Sequence, residues 1–276
     1  MTRFGYTLMT EQSGPKDLVR YAVAAEQVGF DFEVSSDHYF PWLDEQGHAS
    51  YAWTLLGAVA QATDRVELMT YVTCPTLRYH PAVVAQKAAT LAILSGNRFT
   101  LGLGAGENLN EHVAAGAWPP VNVRHDMLAE AVDIITGLLA GGYVTYHGTH
   151  FDVDSAKLWD LPDVRVPIGV AVSGEQSVQT FATLADVMIA TEPDPGPVPA
   201  WDAARVRAHE QFRWFAGDDV AAVVDAVRPF AEAGFTDVAL VQIGGDAQDS
   251  FFAAAEQELL PAFQEAFGEH RTPTPA

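Results

Sequence analysis

Asp37, His38 and Trp42 fall within six residues and follow directly on the apolar run Phe32 to Val34, closed by Ser35-Ser36. A short buried strand that stops and at once presents a carboxylate, an imidazole and an indole has the side chains for proton transfer beside an aromatic wall. Parallel-sheet proteins place their chemistry on such loops, at the C-terminal ends of strands. Taken alone, the plainer reading is stronger: Asp37 caps a turn, His38 is a satisfied surface histidine and Trp42 belongs to the core.

Other strand ends change the balance. Thr73, Cys74 and Pro75 follow a strand at Val66 to Val72, and Ala105, Gly106, Glu107, Asn108 and Asn110 follow one at Phe99 to Leu103. Ser173 and Gly174 follow Val166 to Val172, and Thr191 and Glu192 follow Asp186 to Ala190. A His and a Glu facing one pocket can act as general base and general acid if the pocket moves their pKa values apart. Gly102-Leu-Gly-Ala-Gly106 is not a dinucleotide fingerprint, because Glu107 stands where G-x-G-x-x-G requires glycine. Its glycines fit a backbone that lets a flat ring or a carbonyl pass closely. Ser173-Gly174, at a helix start, offers either an anion seat or simple N-capping by Ser173. A metal centre would draw on Asp37, His38, His48, Glu107 and His112. The sequence gives it little support: the first strand carries no His-x-His pair and no His-Glu-x-x-His occurs.

The elements that must position these residues alternate. Strands at Phe4 to Met9, Phe32 to Val34, Val66 to Val72, Phe99 to Leu103, Val166 to Val172, Asp186 to Ala190 and Phe235 to Ile243 are apolar on both faces. Between them lie helices at Pro15 to Val28, Ala52 to Thr63, Pro81 to about Gly96, Arg124 to Leu139, Ser173 to Leu184, Val220 to Ala233 and Phe251 to Phe267. Residues 143–162 read as a hairpin excursion turning at His147-Gly148. Arg205 to Phe215 suits a strand and a helix equally. Seven clear strands and one ambiguous one, doubly apolar and alternating with helices, predict a (β/α)8 barrel, shortened or lacking a strand at 192–215. No linker composition divides the chain, so 1–276 reads as one domain with a tail at 271–276.

Composition bounds the partners. Fifteen Lys and Arg against 36 Asp and Glu leave a formal charge of −21, which argues against nucleic acid and anionic membranes. Lysine occurs at positions 16, 87 and 157 alone. Cys74 is the single cysteine, no stretch approaches the roughly 18 apolar residues of a membrane span, and the N-terminus has no signal-peptide pattern. A soluble, cytoplasmic protein acting on a small molecule is the expectation.

Three motifs, in order, carry a specific resemblance: Ser36-Asp-His-Tyr-Phe-Pro-Trp42, Thr73-Cys-Pro-Thr-Leu-Arg-Tyr-His-Pro-Ala-Val-Val-Ala-Gln86 and Leu101-Gly-Leu-Gly-Ala-Gly-Glu-Asn-Leu-Asn-Glu111. They resemble the luciferase-like flavin and deazaflavin superfamily, in the branch of F420-dependent glucose-6-phosphate dehydrogenase, over most of residues 3–191 and again at about 213–267. The resemblance implies an F420-dependent oxidoreductase of a small alcohol, sugar phosphate or activated alkene, and a homodimer. His38 would be the base, Trp42 would wall the reacting ring and Glu107 would be the acid. Asp37 would hydrogen-bond the deazaflavin, Tyr71-Val72 would form a non-proline cis peptide behind it, and Cys74, Ala105, Gly106 and Asn110 would line it. Ser173 and Gly174 would hold the coenzyme phosphate. Two alternatives stay open on the same fold, an FMN-dependent monooxygenase and a non-catalytic F420-binding barrel. The chain departs from the branch at Cys74 and Ala105, where the sugar-phosphate enzymes carry threonine. It is also short between Ala190 and Arg213, where they place cations for the sugar phosphate and this chain has Arg205, Arg207 and Arg213.

Overall fold

The structure, a computed structural model, describes residues 2–114, 116–191, 206–208 and 219–268. Its parallel strands are β1 (Arg3–Leu8), β2 (Phe32–Ser35), β3 (Glu67–Thr70), β4 (Phe99–Leu103), β7 (Ile168–Ala171), β8 (Val187–Ala190), β9 (Val206–Ala208) and β10 (Asp237–Leu240). They close in the order β1-β2-β3-β4-β7-β8-β9-β10, with β10 returning to β1. The predicted barrel is therefore present. The uncertain strand exists as the three residues of β9, which pair Met188 with Val206 on one side and Val238 with Ala208 on the other. The rest of the 192–215 segment, and the 271–276 tail, lie outside the described residues. The predicted hairpin forms as β5 (Val144–His147) and β6 (Asp152–Ala156), an antiparallel pair apart from the barrel.

Helices α1 (Pro15–Val28), α2 (Ala52–Ala62), α3 (Pro81–Leu94), α4 (Asn108–Glu111), α5 (Val121–Leu139), α6 (Glu175–Phe181) and α7 (Val220–Glu232) follow in chain order. The closing helix runs as α8 (Gln248–Ala254), a π-turn at Ala255–Leu259 and α9 (Leu260–Phe267). Local chemistry sets several of their ends. Pro15 opens α1 with its φ already helical, and Gly29 ends it at φ 112°, where its N–H reaches the carbonyls of Ala25 and Glu26. His80 Nδ1 accepts from the Ala82 N–H at 3.2 Å and caps α3.

Alternation along the strands makes two cores. Phe32, Val34, Met69, Tyr71, Val187, Ile189 and Ala239 fill the barrel lumen. Phe4, Tyr6, Leu8, Leu68, Leu101, Ile168, Met188 and Val238 pack outward with the helices. Because both faces are dry, the strands read as continuous apolar runs. The lumen is matched large against small: a Cβ on Gly5 would lie 2.2 Å from the Phe32 ring, and one on Gly169 2.6 Å from Met69 Cε. At the N-terminal rim Arg3 pairs with Asp237 of β10 and, at 2.8 Å, with Glu67 of β3, linking three strands at the face that stabilises such barrels.

One residue conflicts with this packing. Glu33 of β2 is fully buried, and among the described residues neither carboxylate oxygen has a hydrogen-bond partner. Burial, followed by the charge of Glu26, holds its carboxyl well above the usual carboxylate range. The folded state therefore keeps a proton that the unfolded chain releases near pH 4.5, and stability falls as pH rises above that value. Glu33→Gln should melt a few degrees above the parent at pH 8 and lose most of that advantage at pH 5, a difference thermal melts at the two pH values will show.

Candidate active site

The C-terminal ends of the strands carry the predicted residues to one rim. β1 ends at Leu8, and the turn beyond it brings in Glu11, which is 2% exposed. Ser36 Oγ donates to Glu11 Oε1 at 2.8 Å, and His38 Nδ1 pairs with the same oxygen. Burial pushes the Glu11 carboxyl up, but the hydrogen bonds and charge supplied by His38 and Ser36 outweigh it and the net shift is downward. An ionised carboxylate accepts only, so the ring faces it with a protonated Nδ1 and leaves Nε2 as the nitrogen free to exchange a proton. Trp42 meets the imidazole edge-on with centroids 5.0 Å apart, and its indole is 42% exposed.

Asp37 turns the other way, into the protein, and is 1% exposed. Its Oδ2 accepts from Thr73 Oγ1 at 2.8 Å and from Trp53 Nε1 at 3.1 Å, and its Oδ1 accepts from the Tyr79 hydroxyl at 3.1 Å. Arg78 Nη1 lies 3.8 Å from Oδ1, and Arg78 Nη2 donates to the Asp37 main-chain carbonyl. Three of the carboxylate's roughly four lone-pair sites are thus taken by the protein. Arg78 continues to Glu111, with Nε to Oε1 at 2.8 Å and its main-chain N–H to Oε2 at 3.0 Å. Asn110 is likewise committed to the protein, since its Oδ1 accepts from the N–H groups of Tyr39 at 2.8 Å and Phe40 at 3.1 Å. The loops after β2, β3 and β4 are therefore one hydrogen-bonded body.

Tyr71-Val72 is a non-proline cis peptide, at the position the resemblance indicates. Val72 leads to a wall with little side chain: a Cβ on Gly104 would lie 2.4 Å from Val72 Cγ2, and Gly106 holds φ 84°. Ala105 and Gly106 are half-buried there. Cys74 is buried behind Gly106, its thiol pushed well up by burial and then by the charges of Glu111 and Asp37, so it is a packing group and not a nucleophile. Glu107 is exposed at the start of α4. At the end of β7, Ser173 and Gly174 are exposed. Ser173 does not cap the helix; Gly174 occupies that position, and Ser177 Oγ accepts from the Ser173 N–H at 3.2 Å. His112 is held by the Asn108 carbonyl at 2.9 Å, and among the described residues no three His, Cys, Asp or Glu side chains gather as a metal site.

Glu11, Trp53, Arg78, Tyr79 and Glu111 were not singled out from the sequence. Glu11 stands three residues beyond a strand end, the same signal that picked out Asp37, and could have been found by it. Arg78, Tyr79 and Glu111 lie within the three motifs, but their contacts, like that of Trp53, are long-range and no local pattern assigns them.

A closed parallel barrel whose strand-end loops carry a carboxylate-paired histidine beside a cis-peptide wall defines a class, and the chain belongs to it: the luciferase-like monooxygenase family model matches residues 1–233. Among its relatives, the F420-dependent glucose-6-phosphate dehydrogenase of Beutenbergia cavernae is 46% identical over 191 residues, 69% of this chain and 57% of that protein. The F420-dependent hydroxymycolic acid dehydrogenase of Mycobacterium tuberculosis is 43% identical over 190 residues, 69% of this chain and 53% of that protein. The matched part thus spans little more than half of either relative. An F420-dependent secondary alcohol dehydrogenase, solved with an F420-acetone adduct, superposes with a TM-score of 0.83 at 26% identity, covering 95% of this chain and 98% of that one.

Arg78 joins two buried carboxylates, and removing one partner of such a cluster leaves uncompensated charge. Arg78→Met should cost roughly 3–5 kcal/mol in urea denaturation, whereas Arg165→Met, at an exposed pair with Asp186, should cost under about 1 kcal/mol.

Proposed function

We propose that this chain is an F420-dependent oxidoreductase that passes a hydride between the deazaflavin coenzyme and an uncharged alcohol or the matching carbonyl compound. The observation that carries the reading is the Glu11–His38 pair standing at the same rim as the wall of Val72, Gly104, Ala105 and Gly106. Such a wall suits a flat ring, because no side chain projects from the glycines. The names of the relatives, each F420-dependent, support the same coenzyme.

When bound, F420 supplies a two-electron hydride acceptor or donor. The residues supply the rest. In the oxidising direction His38 Nε2 takes the proton of the substrate hydroxyl, and the Glu11 carboxylate stabilises the imidazolium that results. Trp42 shields that exchange from water. Glu107 would exchange the proton that balances charge at the coenzyme's edge, and Val72, Gly104, Ala105 and Gly106 would form the seat, backed by Cys74, with Ser173 and Gly174 toward the phosphate tail. Asp37 and Asn110 contribute by fixing the loops, with at most one open acceptor site on Asp37.

The rim favours an uncharged substrate. Glu11 and Glu107 border it, Arg78 is held by Asp37 and Glu111, and Tyr39, Phe40 and Trp42 present apolar rings. Of the three cations that could serve a sugar phosphate, Arg205 and Arg213 lie outside the described residues, and Arg207 stands in β9 opposite Ile189. We further propose one barrel acting as a homodimer in a reducing cytoplasm. This accords with the single cysteine and with the finding that no helix described is long and apolar enough to cross a membrane.

Titration of the protein with F420 should quench coenzyme fluorescence at micromolar concentration, with FMN binding at least tenfold weaker. His38→Ala should keep coenzyme affinity within about threefold and lose roughly 10²–10⁴ in turnover of a secondary alcohol. Failure to bind F420, or tighter binding of FMN with oxygen consumption, overturns the reading. Tight F420 binding without turnover of alcohols, sugar phosphates or enones would make the chain a coenzyme-binding protein instead.

A further inference from the structure

Behind Asp37, on the side away from the rim, lies a cation that the proposed chemistry does not use. Lys87, on α3, directs its ammonium over the face of the Tyr79 ring, 3.5 Å from the centroid, with the rings of Tyr51 and Trp53 at 5.1 and 5.4 Å. Among the described residues the ammonium has no hydrogen-bond partner, and the nitrogen itself is shut off from solvent. An ammonium with three donors seldom gives up water for ring faces alone. What it meets here is a cage two of whose members, Tyr79 and Trp53, turn their polar edges toward the Asp37 carboxylate.

The charges explain the placement. Asp37 and Glu111 are two buried carboxylates, and Arg78 brings a single positive charge to both. Lys87 is the second positive charge. It attracts Asp37 through the rings, and a cation on the face of a phenol or indole sharpens its O–H or N–H as a donor. We propose that Lys87 is the remote counter-ion of Asp37, a positioning residue that acts through Tyr79 and Trp53 to hold the carboxylate, and with it His38, in place for coenzyme binding.

The groups facing Lys87 are Asp37 from the end of β2, Arg78 and Tyr79 from the segment after β3, and Tyr51 and Trp53 from the start of α2. Burial pushes the ammonium down to about 8, Asp37 opposing the fall and Arg78 adding to it. The Tyr51 and Tyr79 hydroxyls are shifted upward, by burial first, and stay protonated through that range. The cage accordingly loses its cation before its phenols lose their protons.

The functional part of this inference rests on the F420 reading, so the test has an arm that needs no coenzyme. In the first arm, the near-UV absorbance of the protein alone is followed from pH 6.5 to 9.5, with parent, Lys87→Met and Lys87→Arg. The parent should show a reversible charge-perturbation change of its tyrosine and tryptophan bands centred near pH 8, and neither variant should. A change that survives in Lys87→Met overturns the coupling. In the second arm, F420 affinity is measured across the same range by fluorescence quenching. The parent should bind three- to tenfold more weakly above pH 8.5 than at pH 7. Lys87→Arg should hold the high affinity throughout, and Lys87→Met should be weak and flat. Equal affinities for the three proteins overturn the positioning role. If the parent does not bind F420 at all, the coenzyme reading falls and the first arm still decides whether Lys87 is coupled to the rings. Near-UV circular dichroism of the variants at pH 7 separates a changed cage from a lost fold.

Discussion

The site depends on keeping one carboxylate out of water. Asp37, at the end of β2, is buried, and burying a charge is unfavourable unless hydrogen bonds and opposite charge replace its hydration. Those groups come from separate parts of the chain: Trp53 at the start of α2, and Thr73, Arg78 and Tyr79 beyond β3. Arg78 then extends the cluster to Glu111 beyond β4. His38 is the next residue along from Asp37, so its position follows from a network spanning three strand-end loops.

The barrel beneath supplies the rigidity this requires. Phe32 and Val34 of β2 occupy the lumen because Gly5 and other small residues opposite leave them room. A Cβ on Gly102 would fall 1.9 Å from the Thr70 carbonyl, so β3 and β4 approach more closely there than any other residue would allow. The Thr73 N–H then donates to the Gly102 carbonyl at 2.9 Å, and the Gly104 N–H to the Thr73 carbonyl at 3.0 Å, carrying that approach up to the wall beside the histidine. Glycine in this strand is needed for packing below and for a flat surface above.

Acidity runs through the whole arrangement. A chain of net charge −21 puts Glu11 and Glu107 at the rim and Asp37 and Glu111 buried beneath it, and sets His38 against Glu11 and Arg78 against the buried pair. Relatives that share F420 in their names differ in what else those names contain: a sugar phosphate, a hydroxymycolic acid, a secondary alcohol.

The sequence by itself determined the alternation of strands and helices, the barrel it implies, the hairpin at 143–162 and the family, because doubly buried strands and strand-end motifs are local patterns. It also picked out His38, Trp42 and Glu107, whose residue types follow strand ends directly. Tertiary structure alone decided the rest. The ambiguous segment contributes the short strand β9, since only pairing with β8 and β10 distinguishes it from a helix. Asp37 and Asn110 face the protein as anchors, and Ser173 yields the helix cap to Gly174. Glu11 and Lys87 matter through partners 27 and 8 residues away or more, His38 for the one and Tyr79 for the other. A hydrogen bond or a cation over a ring depends on distance in space, and no spacing along a single chain records it.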